Sequence, residues 1–329
     1  MKAIVQERYG PPAEVLRLKE IDRPVPGPGE VLVKVRASSV NTPDWIATLG
    51  EPYVLRLQMG RAAGAVRGSD VAGTVEELGE GVEDFAAGDA VFGSLWTAGF
   101  VTAGAFAEFT VVPAAQLAPI PGGVGFEDAA ASVMSGVTAL CAMRDVVEIR
   151  SGTKVLVNGA SGGVGTFAVQ FAAHFGAEVT GVCGSANAAL VRGLGARHVI
   201  DYASADFTQG GERYDVILDN VVNHPPRRTI RALAPGGVLI PNSVGNSGGL
   251  FAGLGRMGSA KLLDLFRRAD VRFCPSEATR ENLAAIGELL ASGAVRPVVD
   301  RVFPLEEAPQ AVAHMYGHHA RGNVVVSVE

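Results

Sequence analysis

Three glycines spaced three apart, Gly159, Gly162 and Gly165, follow the apolar run Lys154-Val155-Leu156-Val157-Asn158. They precede a helical pattern over 166–175 that ends at Gly176. The order is strand, tight turn, helix, the context in which such glycines point to a dinucleotide. Gly159 permits the sharp turn, Gly162 leaves room for a pyrophosphate, and Gly165 lets the helix sit close to the sheet. The whole turn, Gly159, Ala160, Ser161, Gly162, Gly163, Val164 and Gly165, is therefore assigned to cofactor binding, with the N–H groups of the helix start facing the anion.

Beyond Gly176 the alternation repeats. Strands are expected over 178–183, 198–201, 214–220 and 237–242, with helices over 186–194 and 226–233. Short continuous apolar strands alternating with helices describe a doubly wound parallel sheet covered on both faces. Ligands lie at the carboxyl ends of such strands, which adds Asn220, Val221 and Val244 to the candidate cofactor residues. An NAD-preferring site places Asp or Glu about 20 residues beyond the glycines, to hold the ribose 2′-hydroxyl. Here that place reads Cys183-Gly184-Ser185-Ala186-Asn187, with no carboxylate before Asp201. Ser185 and Asn187 can donate hydrogen bonds to a 2′-phosphate, and Tyr202 can add its hydroxyl. NADPH is the expected cofactor, held mainly by neutral donors, with Arg192, Arg197 or Arg321 able to supply charge.

The chain has 329 residues, 48% hydrophobic and 19% charged, enough for two domains with their own cores. A net charge of −6 argues against a general nucleic-acid or anionic-membrane binder. The first eight residues carry no apolar signal core. The longest nearly apolar stretch, 129–143, is broken by Ser132, Ser135, Gly136 and Thr138 and falls short of a membrane span. The three cysteines, Cys141, Cys183 and Cys274, are far apart and read as buried free thiols of a reducing cytoplasm. A cytoplasmic homodimer acting on a small apolar molecule is expected.

Before about residue 125, alternation at Val31, Val33 and Val35 against Leu32, Lys34 and Arg36, with frequent Pro and Gly, describes an all-β domain. After about 270 come a strand over 271–274, a helix over 279–290, a segment 298–304, a helix over 305–316 and a last strand over 323–328. That strand needs a sheet to join, and the N-terminal domain is the host. The expected organisation is 1–125 completed by 271–329, with 126–270 as the nucleotide-binding domain.

With these residues in view, the chain resembles the medium-chain dehydrogenase/reductase superfamily, in its zinc-free quinone oxidoreductase-like branch. The resemblance is carried by 26–33 (Pro-Gly-Pro-Gly-Glu-Val-Leu-Val), 39–44 (Ser-Val-Asn-Thr-Pro-Asp), 68–73 (Gly-Ser-Asp-Val-Ala-Gly), 88–93, 104–108 and the glycine turn. It implies a GroES-like β-barrel catalytic domain, a Rossmann domain and an active-site cleft between them. It also implies that Asn41 and Ser69-Asp70 stand where zinc-dependent alcohol dehydrogenases have a Cys and a His-Glu pair. Asn and Ser are poor zinc ligands, so no metal is expected.

Without zinc, the reaction is hydride transfer to a quinone, an enone or another activated alkene or carbonyl, and the substrate oxygen needs hydrogen-bond donors. Asn41 is the first candidate donor, its other reading being a turn residue before Pro43. Tyr53 lies where the resemblance places an aromatic hydroxyl, which either donates or packs. Thr138 matches a position that contacts the cofactor's phosphate or ribose. Two further readings stay open: a pathway-specific enoyl or carbonyl reductase, with Arg56, Arg61, Arg67 and Arg256 as candidate cations for a carrier-bound substrate, and a non-catalytic NADPH-binding sensor or scaffold. The glycine-rich segment 245–258 is expected to be a mobile cleft element or a packed turn.

Overall fold

A computed structural model describes residues 1–59, 62–97, 100–101, 104–243, 254–265, 270–317 and 320–329. The chain forms two compact units, Met1–Val137 with Glu277–Glu329, and Thr138–Ser276.

The first unit is organised by one long strand, Glu30–Val40. Along one edge it pairs with Asp70–Leu78. Along the other it takes two partners end to end, Phe109–Pro113 beside its first half and Asn323–Ser327 beside its second. Ala90–Ser94 and Leu117–Pro119 extend the sheet beyond Asp70–Leu78, and Val299–Pro304 extends it beyond the last strand. Val31, Val33, Val35, Val75, Phe106, Leu117, Val324 and Val326 form the core, while Lys34 and Arg36 are exposed as the alternation requires. Leu32 departs from the alternation and is buried. The pairing register shifts beside it, where Asp70–Leu78 carries the extra residue Glu76, while Leu32 itself stays in regular register with Phe109–Pro113.

The second unit is a six-stranded, all-parallel sheet. Its spatial order is His198–Asp201, Glu178–Cys183, Lys154–Asn158, Tyr214–Asp219, Leu233–Pro241, Asp270–Val271. Numbered along the chain that is 3-2-1-4-5-6, the doubly wound order, and its direction reverses between Lys154–Asn158 and Tyr214–Asp219. Helix Gly163–His174 presents Phe167 and Phe171, both fully buried with ring centres 6.0 Å apart.

Both expected domain boundaries move. Helix Phe126–Ser132 packs against Glu30–Val40, Asp70–Leu78 and Asn323–Ser327, so it belongs to the first unit. Its buried face is Ala129, Ala130 and Ala131, small enough to lie close to a sheet. At the other end, the expected strand 271–274 shortens to Asp270–Val271 and joins the parallel sheet rather than the first unit. Among the described residues no helix is long and apolar enough to cross a membrane.

The C-terminal return to the first unit begins with helix Arg280–Ala291, whose N-cap Thr279 accepts the Asn282 N–H at 3.2 Å. Thr279→Ala is expected to lower stability by about 1 kcal/mol, the usual worth of such a cap. Urea denaturation of the two proteins measures this, and equal midpoints would contradict it.

Candidate functional site

The glycine turn begins where Lys154–Asn158 ends, at the reversal of strand order. Gly159 stands at φ 77°, a left-handed conformation that favours glycine. A Cβ at Gly165 would collide with the Gly159 carbonyl oxygen, so the helix can start this close only without a side chain there. A Cβ at Gly162 would meet only that carbonyl oxygen, at 3.6 Å, which leaves the outer side of the turn open. Gly162 is also the N-cap of Gly163–His174, with no side-chain cap and no acidic residue in the first turn. An uncapped helix start beside an open glycine suits the pyrophosphate of a dinucleotide.

Ser161, Ser185, Asn187 and Tyr202 gather at the ends of the neighbouring strands. Asn187 donates from Nδ2 to Ser161 Oγ at 3.2 Å, while its Oδ1 is buried without a hydrogen-bond partner. The Tyr202 N–H donates to the Cys183 carbonyl, and its hydroxyl would lie 3.1 Å from a Cβ at Gly184. Ser185 is exposed, as is Tyr202. Of the cations, Arg197 pairs with Glu178 at 3.0 Å. Burial pushes the Cys183 thiol up, Asp201 adds to this and Arg192 opposes it, so the Arg192 guanidinium acts electrostatically at this strand end.

An amide array spans the reversal and was not expected from the sequence. Asp219 Oδ1 accepts from Asn158 Nδ2 at 2.7 Å and from the N–H groups of Val221 and Val222 at 3.2 and 2.8 Å. These bonds hold Val222 at φ 54°, a conformation a β-branched residue seldom adopts. Asn158 also donates to Asn223 Oδ1 at 3.1 Å, and Asn242 Nδ2 to Asn220 Oδ1 at 2.8 Å. Asn220 Nδ2 is buried without a partner. The signal was an Asn at or just after the end of several adjacent apolar strands. Val244 lies outside the described residues, as do 245–253 of the glycine segment. Its remainder, 254–258, is the start of helix Leu254–Leu265.

Thr138 lies on helix Met134–Cys141 with its side chain buried, and its carbonyl accepts from the Cys274 thiol at 3.7 Å.

In the first unit, Asn41 is the N-cap of helix Thr42–Leu49, only 5% exposed. Its Nδ2 lies 2.8 Å from Asp70 Oδ2, 3.0 Å from Ser39 Oγ and 3.3 Å from Ser69 Oγ. The donor expected to face a substrate is thus directed at protein acceptors. Asp70 Oδ2 also accepts from Ser39 Oγ at 2.6 Å and from the Met134 N–H at 3.1 Å. Asp44 Oδ2 accepts from the Asn41 N–H at 2.7 Å and Ser69 Oγ at 3.1 Å. The second oxygen of each carboxyl is buried without a partner. Burial pushes Asp44 up to about 6 and Asp70 up to about 7, against the lowering effect of their donors.

Zinc does not fit this cluster. It offers neither thiolate nor imidazole, and N–H and O–H donors already crowd Asp70 Oδ2. Among the described residues, no group of three or more His, Cys, Asp or Glu could hold a metal ion.

Tyr53 opens the 3-10 turn Tyr53–Leu55 and is 45% exposed. Of the candidate surface cations, Arg67 is turned inward, donating to Gln6 Oε1 and to the Ala47 carbonyl. Arg56 donates to the Gly50 and Leu49 carbonyls. Arg61 lies outside the described residues, and the side chain of Arg256 is not among those described.

The raised Asp70 carboxyl carries a pH signature. The unfolded chain ionises it near the ordinary value of 3.8, the folded chain only near 7. Stability is therefore fullest below the lower value and falls as pH rises towards the upper one. Asp70→Asn is expected to flatten that fall, by an amount on the order of a few kcal/mol. Urea melts of both proteins at pH 5 and pH 8 test this, and parallel pH dependence would refute it.

The chain also matches known families and proteins. The alcohol dehydrogenase GroES-like domain family matches residues 27–122, and the family described as zinc-binding dehydrogenase matches 194–326. The chain is 32% identical to the chloroplast envelope quinone oxidoreductase homolog of Arabidopsis thaliana, over 99% of this chain and 98% of that one. It is similar to the quinone oxidoreductase from Coxiella burnetii, with a TM-score of 0.87 and 28% identity, covering 100% and 99% of the two chains. It is similar also to the Escherichia coli quinone oxidoreductase complexed with NADPH, with a TM-score of 0.83 and 25% identity, covering 99% and 100%.

Proposed function

The chain belongs to the medium-chain dehydrogenase/reductase superfamily, in its quinone oxidoreductase-like branch, and from that premise we propose an NADPH-dependent, metal-independent reductase of quinones and enones. That it is an NAD(P)H-dependent oxidoreductase follows from its relatives. The observation that carries the finer reading is the end of strand Glu178–Cys183, where Ser185, Asn187 and Tyr202 stand and no carboxylate precedes Asp201, which lies beside Cys183 on the next strand and accepts the Ala203 N–H. Gly159, Gly162, Gly165 and the start of helix Gly163–His174 would hold the pyrophosphate. Asn220, Val221 and Thr138 complete the proposed cofactor contacts.

Reduction takes a hydride, which bound NADPH supplies, and a proton. Negative charge then grows on the substrate oxygen, and a preorganised donor there is worth about 2.7–4 kcal/mol. Two side chains of the first unit are proposed for that oxygen. Tyr53 is the better placed, because its side chain is partly open to solvent. Asn41 would have to release Asp70 or Ser39 to act directly, so its part in this reading is mainly to hold the start of helix Thr42–Leu49. The inward engagement of Arg56 and Arg67 favours a free apolar substrate over a carrier-bound one. A cytoplasmic homodimer with no nucleic-acid or membrane partner completes the proposal.

Oxidation of NADPH in the presence of 1,4-benzoquinone and a panel of enones tests the reading. Turnover is expected, and tight NADPH binding without turnover on any of them would point instead to a sensor or scaffold. For the cofactor, Ser185→Asp is expected to weaken NADPH binding about tenfold, about 1.4 kcal/mol, with a much smaller effect on NADH. Fluorescence titration of both nucleotides gives the ratio. An equal effect on the two would remove Ser185 from the 2′-phosphate site.

A further inference from the structure

As the proposed donor, Tyr53 has a hydrogen bond to make, yet a half-exposed phenol in a three-residue turn has little packing to fix its direction. A functional donor must be held to within about 0.5 Å of its working position by neighbours that are themselves locked. Arg56 is such a neighbour. Its guanidinium carbon lies 4.5 Å from the centre of the Tyr53 ring and 4.7 Å from that of Tyr9, within cation–π range of both. Its other contacts tie it to a rigid element: Nε donates to the Gly50 carbonyl at 2.8 Å and Nη2 to the Leu49 carbonyl at 3.0 Å.

Those carbonyls end helix Thr42–Leu49, where a cation is also favoured by the helix dipole. The C-cap Gly50 stands at φ 67°, and a Cβ there would lie 2.5 Å from Tyr9 Cδ1 and 2.6 Å from Arg56 Nε. The absence of that Cβ is what lets ring and guanidinium close on the helix end. Among the described residues no carboxylate forms an ion pair with Arg56, so its charge acts on the rings. A cation over a phenol draws electron density from it and makes its O–H a stronger hydrogen-bond donor.

We propose that Arg56 is a positioning residue for the reduction, fixing the direction of the Tyr53 hydroxyl and strengthening it as a donor to the substrate oxygen. The proposal rests on the reading of Tyr53 as that donor. A double-mutant cycle with NADPH and 1,4-benzoquinone separates the two ideas. Tyr53→Phe is expected to lower kcat about a hundredfold and Arg56→Gln about tenfold, while Arg56→Gln in the Tyr53→Phe background changes it by less than about twofold. Arg56→Lys, which keeps the charge and loses the planar fork, should fall between wild type and Arg56→Gln. The NADPH dissociation constant, read by fluorescence titration, should stay within about twofold throughout.

A kcat loss from Arg56→Gln of the same factor in both backgrounds would overturn the proposal, because Arg56 would then act elsewhere. An unaffected Tyr53→Phe enzyme would sink the premise about Tyr53 instead. Should circular dichroism show Arg56→Gln unfolded, Tyr9→Leu takes its place in the cycle, since it removes one ring and leaves the guanidinium. The same coupling to Tyr53 is then expected, and its absence counts against the proposal.

Discussion

The backbone pairing of Glu30–Val40 is the constraint on which the rest of the chain depends. Its 11 residues supply one edge to Asp70–Leu78 and the other to two strands set end to end, one of them from the last residues of the sequence. Buried N–H and C=O groups have to be paired, and among the described residues the second half of this edge finds its partners in Asn323–Ser327. The C-terminal segment is thus obliged to return, and everything from Thr138 to Ser276 becomes an insertion. That unit can then be a regular doubly wound sheet with its own core.

Much of that sheet was legible because its strands are short, apolar and bounded by glycine or by helical periodicity. The strands Glu178–Cys183 and His198–Asp201 fall where the pattern puts them. The boundaries were harder, for identifiable reasons. Ala129, Ala130 and Ala131 have no periodicity to say which sheet they face, and only packing on Glu30–Val40 assigns them. Asp270–Val271 is two residues long and takes its identity from pairing with Leu233–Pro241. Leu32 is buried outside the cluster that holds Val31 and Val33, and an alternating run does not say that the second face of a strand is covered as well.

The candidate site divides in the same way. Residue types at the glycine turn could be read directly, since a left-handed φ or a backbone collision selects glycine whatever surrounds it. Asn41 could be located but its amide could not be aimed. The aim depends on Asp70 and Ser69, about thirty residues on, and on two carboxyls buried together, of which Asp44 feels the Arg67 guanidinium. The relation of Arg56 to Tyr53 was hidden although they are three apart, because it depends on Tyr9 and on the end of a helix at Gly50.

The two ends of the inserted unit also meet. The Cys274 thiol, two residues before the unit ends, sits 3.7 Å from the carbonyl of Thr138, where it begins. The nucleotide unit therefore leaves the chain through the same opening by which it entered. Such a segment has the geometry of an insertion: its two ends lie side by side, as they must where one piece of chain is spliced into another.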